Sequence, residues 1–421
     1  MRPHVLTLII SLIAFSASAD DWWKQFNDPT LDSLVSRALE VNSDVDMAVR
    51  RLNIARQSLN SARAAYYPTV GASAGWETVR HQESRWSVGA TMSWEIDIFG
   101  KITARTKQEK HLVNASRAEL EGTRLSVEAS VAQAYMDLRT YQAVRALSLK
   151  HAAEQKEISD MVQARYDAGL VSRLDVSQSL MVYYSTMSSI PAIDSNIAAS
   201  MDALATLLNC HASDLAYLRD PVKPLPAIAA IPSITDIDAE LMRSRPDIIA
   251  AESQIHAAAA ALGIARKDYL PSLSLSGSIG TGAHNIKNLF GKGSGTWSLA
   301  PTLSWTAFDG FARRAATESA KEQMQIAIDQ YNLSLLTGVQ EVETAIANYS
   351  SSLTTADWLA KTVEQASISR EKSLDLYKLN LADFTTVMQA QMSLLTYQIQ
   401  QLEQHSANLQ ATISFHKALG Q

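Results

Sequence analysis

The feature that most constrains this 421-residue chain is that it is written twice. Around residues 68–94, and again around 271–305, lies a short stretch of alternating polar and apolar residues with Trp near its ends. Each stretch precedes a helix-like segment of about seventy residues that holds no proline. In a duplicated chain the repeat, not the whole, is the unit that must fold. Asn42-Ser43-Asp44-Val45 matches Arg245-Pro246-Asp247-Ile248, and Ser61-Ala62-Arg63 matches Ile264-Ala265-Arg266. Tyr66-Tyr67-Pro68 matches Tyr269-Leu270-Pro271 at the same offset. Beyond the strands the offset grows by about eight residues, pairing Trp94 with Trp305 and Tyr166 with Tyr377. The extra residues fall at 282–295, as expected of a surface loop, where insertions are tolerated.

The N-terminus predicts export. Met1-Arg2-Pro3-His4 is weakly positive, 5–15 is an apolar run, and Ser16-Ala17-Ser18-Ala19 gives an Ala-x-Ala cleavage pattern before Asp20. No Cys follows the run, so the signal is not of the lipoprotein kind. No later segment reaches the roughly 20 consecutive apolar residues of a spanning helix, so membrane insertion must use strands. Cys210 is the sole cysteine, which excludes an intramolecular disulfide. The mildly acidic net charge of −6 argues against a nucleic-acid partner.

The strands alternate strictly. Over 86–96, Trp86, Val88, Ala90, Met92, Trp94 and Ile96 share one side, and over 297–305, Trp297, Leu299, Pro301, Leu303 and Trp305 do. Their partners, 69–79 and 272–280, alternate as well. A half-buried soluble sheet shows the same pattern. Length and aromatic placement favour a membrane barrel: strands of about 9–11 residues with terminal aromatics match the bilayer and its interfaces. Trp76, Trp86, Trp94, Trp297 and Trp305 are the expected interface anchors. Four strands cannot close a barrel, and open edges are not tolerated in lipid, so the chain must oligomerise. Two copies would give eight strands with a filled interior, and three would give twelve with room for a lumen.

The segments 101–168 and 311–379 predict helices of about 100 Å each. Shorter helices are expected over 30–66, 172–209, 246–268 and 383–419, with Ala129, Ala132, Ala345 and other small residues allowing close packing. Gly169 and Asn380 suit left-handed caps at the ends of the long helices. Ser172 and Asp383 can cap the returning ones. The expected organisation is thus a signal peptide at 1–19, a first repeat at 20–209 with strands at about 69–98, and a Pro-rich linker at 210–235 outside the regular bundle. A second repeat at 236–421 has strands at about 272–307.

Four motifs carry a resemblance over essentially the whole mature chain. They are Trp22-Trp23-Lys24-Gln25-Phe26-Asn27-Asp28-Pro29, Trp94-Glu95-Ile96-Asp97-Ile98-Phe99-Gly100-Lys101, Arg243-Ser244-Arg245-Pro246-Asp247-Ile248-Ile249-Ala250-Ala251-Glu252, and Tyr166-Asp167-Ala168-Gly169-Leu170-Val171. With them the chain resembles the outer membrane factor family, the TolC-like channel-tunnels, in its NodT/OprM-type branch. The resemblance implies an α+β membrane protein with duplicated β-hairpins and long helical hairpins. It implies a trimer whose 12-stranded outer-membrane β-barrel continues into a 12-helix periplasmic α-barrel. A tapered periplasmic end would open on docking a periplasmic adaptor and an inner-membrane pump of RND, MFS or ABC type. The cargo would be drugs or other toxic small molecules, moved without chemistry, cofactor or metal.

Carried over by motif, Asp175 and Tyr377 match a polar pair that links the closed helix ends across subunits. Thr386 and Gln389 stand where some members place acidic rings, which disfavours strong cation selectivity, and Asp383 is the nearest acid. The second junction, Asp309-Gly310-Phe311-Ala312-Arg313-Arg314, has Gly-Phe where Gly-Gly is commoner, and the branch's usual lipid-anchoring Cys is missing. A competing class is a trimeric surface adhesin or structural stalk, which predicts one C-terminal barrel segment instead of two hairpins at corresponding points. An outer-membrane enzyme has no support: the nine His are scattered, with no H-x-x-x-H pair.

Overall fold

The computed structural model describes residues 21–80, 83–219, 223–227 and 242–420. The signal peptide, and the linker prolines Pro221 and Pro232, lie outside the described residues. The chain divides into two compact units. One comprises Met1–Asn42, Leu125–Asp236 and Glu341–Gln421, the other Ser43–Arg124 and Ile237–Gln340.

In the first unit, α1 (Pro29–Val41) starts because Asp28 accepts the Thr30 amide at 2.9 Å and Pro29 needs no donor at the first helical position. Leu31, Leu34, Val35 and Ala38 bury its inner face. Burial alone would raise the Asp28 carboxyl, but hydrogen bonds from Tyr135 and Thr30, with Lys223 nearby, hold it below its usual value. Tyr135 in turn is pushed up to about 12 by burial and by that bond.

The single helix expected over 30–66 is broken. Asn42 is extended (φ −67°, ψ 131°) and donates through Nδ2 to the Leu207 carbonyl at 2.9 Å. A new helix, α2 (Ser43–Ala64), begins behind it with Asp44 and Asp46 in its first turn, where negative charge is favourable. The tie that holds this stop comes from Leu207, far along the chain.

Both long helices form as expected, α3 (Lys101–Asp167) and later α6 (Ala312–Lys378), at 67 residues each. Between them lie α4 (Arg173–Leu207) and α5 (Pro246–Lys267), and α7 (Phe384–Leu419) ends the chain. The helix α5 is long and apolar enough by composition to cross a membrane, with a mean hydropathy of 1.4. Five successive alanines, Ala257 to Ala261, raise that value. It lies against α3, with Pro246 placed 3.4 Å from where a side chain on Gly122 would begin and the His256 ring stacked on His111 at 5.1 Å.

Within the first unit the helices are tied by polar bonds, Arg370 to Glu154 at 2.8 Å and His151 to Gln398 at 2.6 Å. Buried Ala129, Ala132 and Ala345 match the expected small-residue packing, whereas Ala146 and Ala347 are exposed. The linker departs from expectation at its start. A 3-10 helix, Ala212–Leu218, buries Leu215 and Leu218 in the core, and the Leu218 carbonyl accepts from Gln142 at 2.8 Å and Arg139 at 3.3 Å.

The second unit holds the strands β1 (Thr69–Glu77), β2 (Arg85–Ile96), β3 (Ser272–Ala283) and β4 (Gly295–Ser304). They form one antiparallel sheet in the order β1-β2-β3-β4, so the two repeats' hairpins pair with each other. The strand β3 runs to Ala283, past the start of the expected loop, because Trp86 and Ser87 extend the β2 ladder to meet it. Where the hairpins join, Gly89 stands opposite Gly280. A side-chain carbon at Gly280 would come within 2.9 Å of the Val88 carbonyl oxygen, so glycine permits this approach.

The repeat is visible atom by atom. Trp94 Nε1 donates to the Tyr66 carbonyl at 3.0 Å, and the equivalent Trp305 Nε1 donates to the Tyr269 carbonyl at 3.0 Å. Each bond fastens the end of a strand segment to the turn that precedes its hairpin. At the junction, Asp97 accepts from the Ile102 and Thr103 amides at 2.9 and 2.8 Å and caps α3. Asp309 accepts from the Arg313 amide at 3.0 Å and caps α6. Gly100 has φ +72° and its counterpart Phe311 has φ +71°, so the second copy places a bulky residue in a conformation that favours glycine.

Candidate functional site

The two helix turns that end the long helices lie in the first unit, and each closes on a left-handed residue. Gly169 (φ +76°) donates to the Tyr166 carbonyl at 2.8 Å, and Leu170 to the Arg165 carbonyl at 2.9 Å. Asn380 (φ +58°) donates to the Tyr377 carbonyl at 3.1 Å, and Leu381 to the Leu376 carbonyl at 2.9 Å. Both are paired bonds of the Schellman type, which satisfy the last carbonyls of a helix.

The returning helices start differently. Ser172 and Asp175 form a reciprocal capping box at α4. Asp383 makes no side-chain cap at α7, contrary to expectation. Thr386 occupies the place of Asp175, and its amide donates to the backbone carbonyl of Asp383 at 3.1 Å, which uses the proton a carboxylate cap would accept.

Between the turns lies a small apolar core of Ile158, Val162, Val176, Tyr377, Phe384 and Val387. The Tyr377 and Phe384 rings meet edge to face, with centroids 5.2 Å apart. Tyr377 is only 4% exposed, and its hydroxyl is buried without a hydrogen-bond partner. Burial and the charge of Asp175 push this phenol up, against the opposing charge of Arg165. The structure therefore brings Asp175 and Tyr377 to one place within a single chain. Asp383, Thr386 and Gln389 are exposed on the same helix that buries Phe384 and Val387.

Arg165 was not foreseen. It donates to the carbonyl of Tyr377 at 3.2 Å and to the side chain of Asn380, and its guanidinium lies 4.9 Å from the centre of the Tyr377 ring. The only sequence signal was the register itself, in which Leu376 occupies the equivalent place in the second copy.

In the second unit, Trp76 pairs with Trp86 across the first hairpin, their rings 6.1 Å apart, near the end of the sheet opposite Trp94. Trp297 is highly exposed on β4, and Trp305 follows that strand directly. Phe308 and Phe311, exposed and packed edge to face at 5.7 Å, add aromatics after Trp305 in the chain that the alternation did not reveal. Gly71-Ala72-Ser73-Ala74-Gly75 has the spacing of a nucleophile elbow. Ser73, however, lies in the middle of β1 opposite Gly89 and not on a strand-to-helix turn. Among the described residues no group of three or more His, Cys, Asp and Glu could hold a metal ion.

Two strand pairs joined in one sheet, each followed by a 67-residue helix ending in a capped turn, place the chain in the class of outer-membrane channel proteins. It belongs to the outer membrane efflux protein family, whose pattern matches residues 34–210 and 239–421, one block for each repeat.

Nodulation protein T of Rhizobium leguminosarum bv. trifolii is 30% identical over 384 residues, covering 89% of this chain and 81% of the relative. The solvent efflux pump outer membrane protein SrpC of Pseudomonas putida is 27% identical over 410 residues, covering 94% and 86%. Among solved structures, the outer-membrane channel OprN superposes with a TM-score of 0.88 at 28% identity, covering 95% of this chain and 92% of its own. The outer membrane protein VceC of Vibrio cholerae gives 0.86 at 25% identity, covering 95% and 98%. The family and these relatives, OprN among them an outer-membrane channel, place the protein in the Gram-negative outer membrane with a large periplasmic part.

Proposed function

We propose that three copies of this chain assemble into a passive export conduit, a 12-stranded barrel in the outer membrane continued by a 12-helix periplasmic barrel. The observation that carries this reading is the open sheet, in which β1 and β4 have no further strand beside them among the described residues. Unpaired edges in lipid cost several kcal/mol per exposed backbone group, so closure by further copies supplies what one chain lacks. Three copies supply twelve strands, and the small Ser, Gly and Thr residues alternating with the apolar ones suit a water-lined passage. The mass of the detergent-solubilised protein tests this directly. A trimer is expected, and a stable monomer or dimer would overturn the assembly.

The cargo class is drugs or other toxic small molecules, received through a periplasmic adaptor from an inner-membrane pump of RND, MFS or ABC type. The names of the efflux relatives support this. Deleting the gene should raise sensitivity to some such compound, and unchanged sensitivity over a broad panel would count against it.

The helix-turn end is the proposed gate, with Asp175 and Tyr377 as its latch and Asp383, Thr386 and Gln389 on its exposed side. The burial of Tyr377 in its own chain favours a latch acting first between the two turns of one chain and only then between copies. Substituting Asp175→Ala together with Tyr377→Phe should raise single-channel conductance in planar bilayers. Unaltered conductance would reduce both to packing residues.

A further inference from the structure

The two copies of the repeat differ reciprocally at their helix ends. The first copy has Arg165 and Gly169, whereas the second has Leu376 and Asn380 at the equivalent places. The donor of one copy meets the acceptor of the other. Arg165 Nη1 donates to the Tyr377 carbonyl at 3.2 Å and approaches that of Lys378 at 3.4 Å, while Nη2 donates to Asn380 Oδ1. The reverse bond has neither partner, since Leu376 has no donor and a side chain added at Gly169 would meet nothing within 4 Å.

We infer that Arg165 is a positioning residue of the channel. It fastens the second turn to the first within one chain, and thereby holds the conductance of the closed tip low. The chemistry suits the place. A guanidinium offers several donors in a rigid plane, and the last carbonyls of α6 carry partial negative charge that a cation there offsets. Its stacking over Tyr377 joins the fastening to the proposed latch. The backbone of Asn380 is left-handed like that of Gly169, so the cap itself would accept glycine. What Asn380 adds over glycine is the acceptor.

The conductance half of this inference rests on the gate reading above, but the fastening does not. Arg165→Gln and Asn380→Gly, each alone and together, are compared in the full-length assembled protein. Amide hydrogen exchange over 376–383 is expected to quicken about tenfold in each single variant, with the double variant no faster than either. Single-channel conductance is expected to rise in the same variants, and Arg165→Lys should fall between wild type and Arg165→Gln. Unchanged exchange, or effects that simply add, would overturn the fastening. If Asp175→Ala with Tyr377→Phe raises conductance while these variants do not, the link from Arg165 to conductance fails and the gate survives. If none of them raises it, the gate reading fails too.

Discussion

His416 is stacked on Trp22, with ring centroids 5.4 Å apart, and burial pushes its imidazole down to about 4 from 6.5. The folded chain therefore keeps it neutral where an unfolded chain takes up a proton. Its contribution to stability is full above pH 6.5, falls as the pH drops from 6.5 towards 4, and amounts to about 3 kcal/mol over that window. His416→Phe keeps a flat ring against Trp22 and removes the titration. Thermal melting of the solubilised protein at pH 7 and at pH 4.5 should show a smaller acid-induced drop in this variant, and an identical drop would exonerate His416.

Phe311 poses the opposite kind of question, a strained backbone. A non-glycine residue held at φ +71° costs roughly 1 kcal/mol, and Phe311→Gly recovers that while losing the ring contact with Phe308. Adding Phe308→Ala to separate the two terms should leave Phe311→Gly stabilising in the melting experiment. A destabilising result would show that the strain is not stored there.

Among the elements, the sheet is most sensitive where its two hairpins meet. Gly89→Val places a branched side chain where the first carbon alone would sit 3.0 Å from the Ile279 carbonyl oxygen. The strands β2 and β3 must then separate, and the assembled outer-membrane form should be lost while the same change at exposed Ser87 is tolerated. Assembly of Gly89→Val at wild-type levels would contradict the pairing.

The elements also show what a sequence displays and what it hides. The long helices were legible because 67 residues without proline leave no other regular structure open. Gly169 and Asn380 were legible because a left-handed residue has few candidates. The break at Asn42 was hidden because its cause is a carbonyl on Leu207, a residue far along the chain. Arg165 was hidden for the same reason, since its acceptors belong to the other copy. Local signals describe caps and periods, whereas a bond between distant segments leaves no trace in either segment alone.

At the scale of the whole molecule, the differences between the repeats include one loop and one turn. The loop after β3 closes on itself, with Ser294 Oγ donating to the Leu289 carbonyl at 2.9 Å and Leu289 buried. Deleting 284–291 brings the second hairpin close to the length of the first. Assembly and export should both survive, and loss of assembly would show the stretch to be part of the sheet instead of an addition to it. The turn tells of history as well as mechanism. The indole-to-carbonyl bond occurs in both copies, so it was inherited from a single-repeat ancestor. The one-way bond from Arg165 to Asn380 needs two sequences that have diverged, so in its present form it is younger than the fusion. Two identical ancestral repeats would have had to join their turns by some other contact, and the symmetry of each surviving contact orders it relative to the duplication.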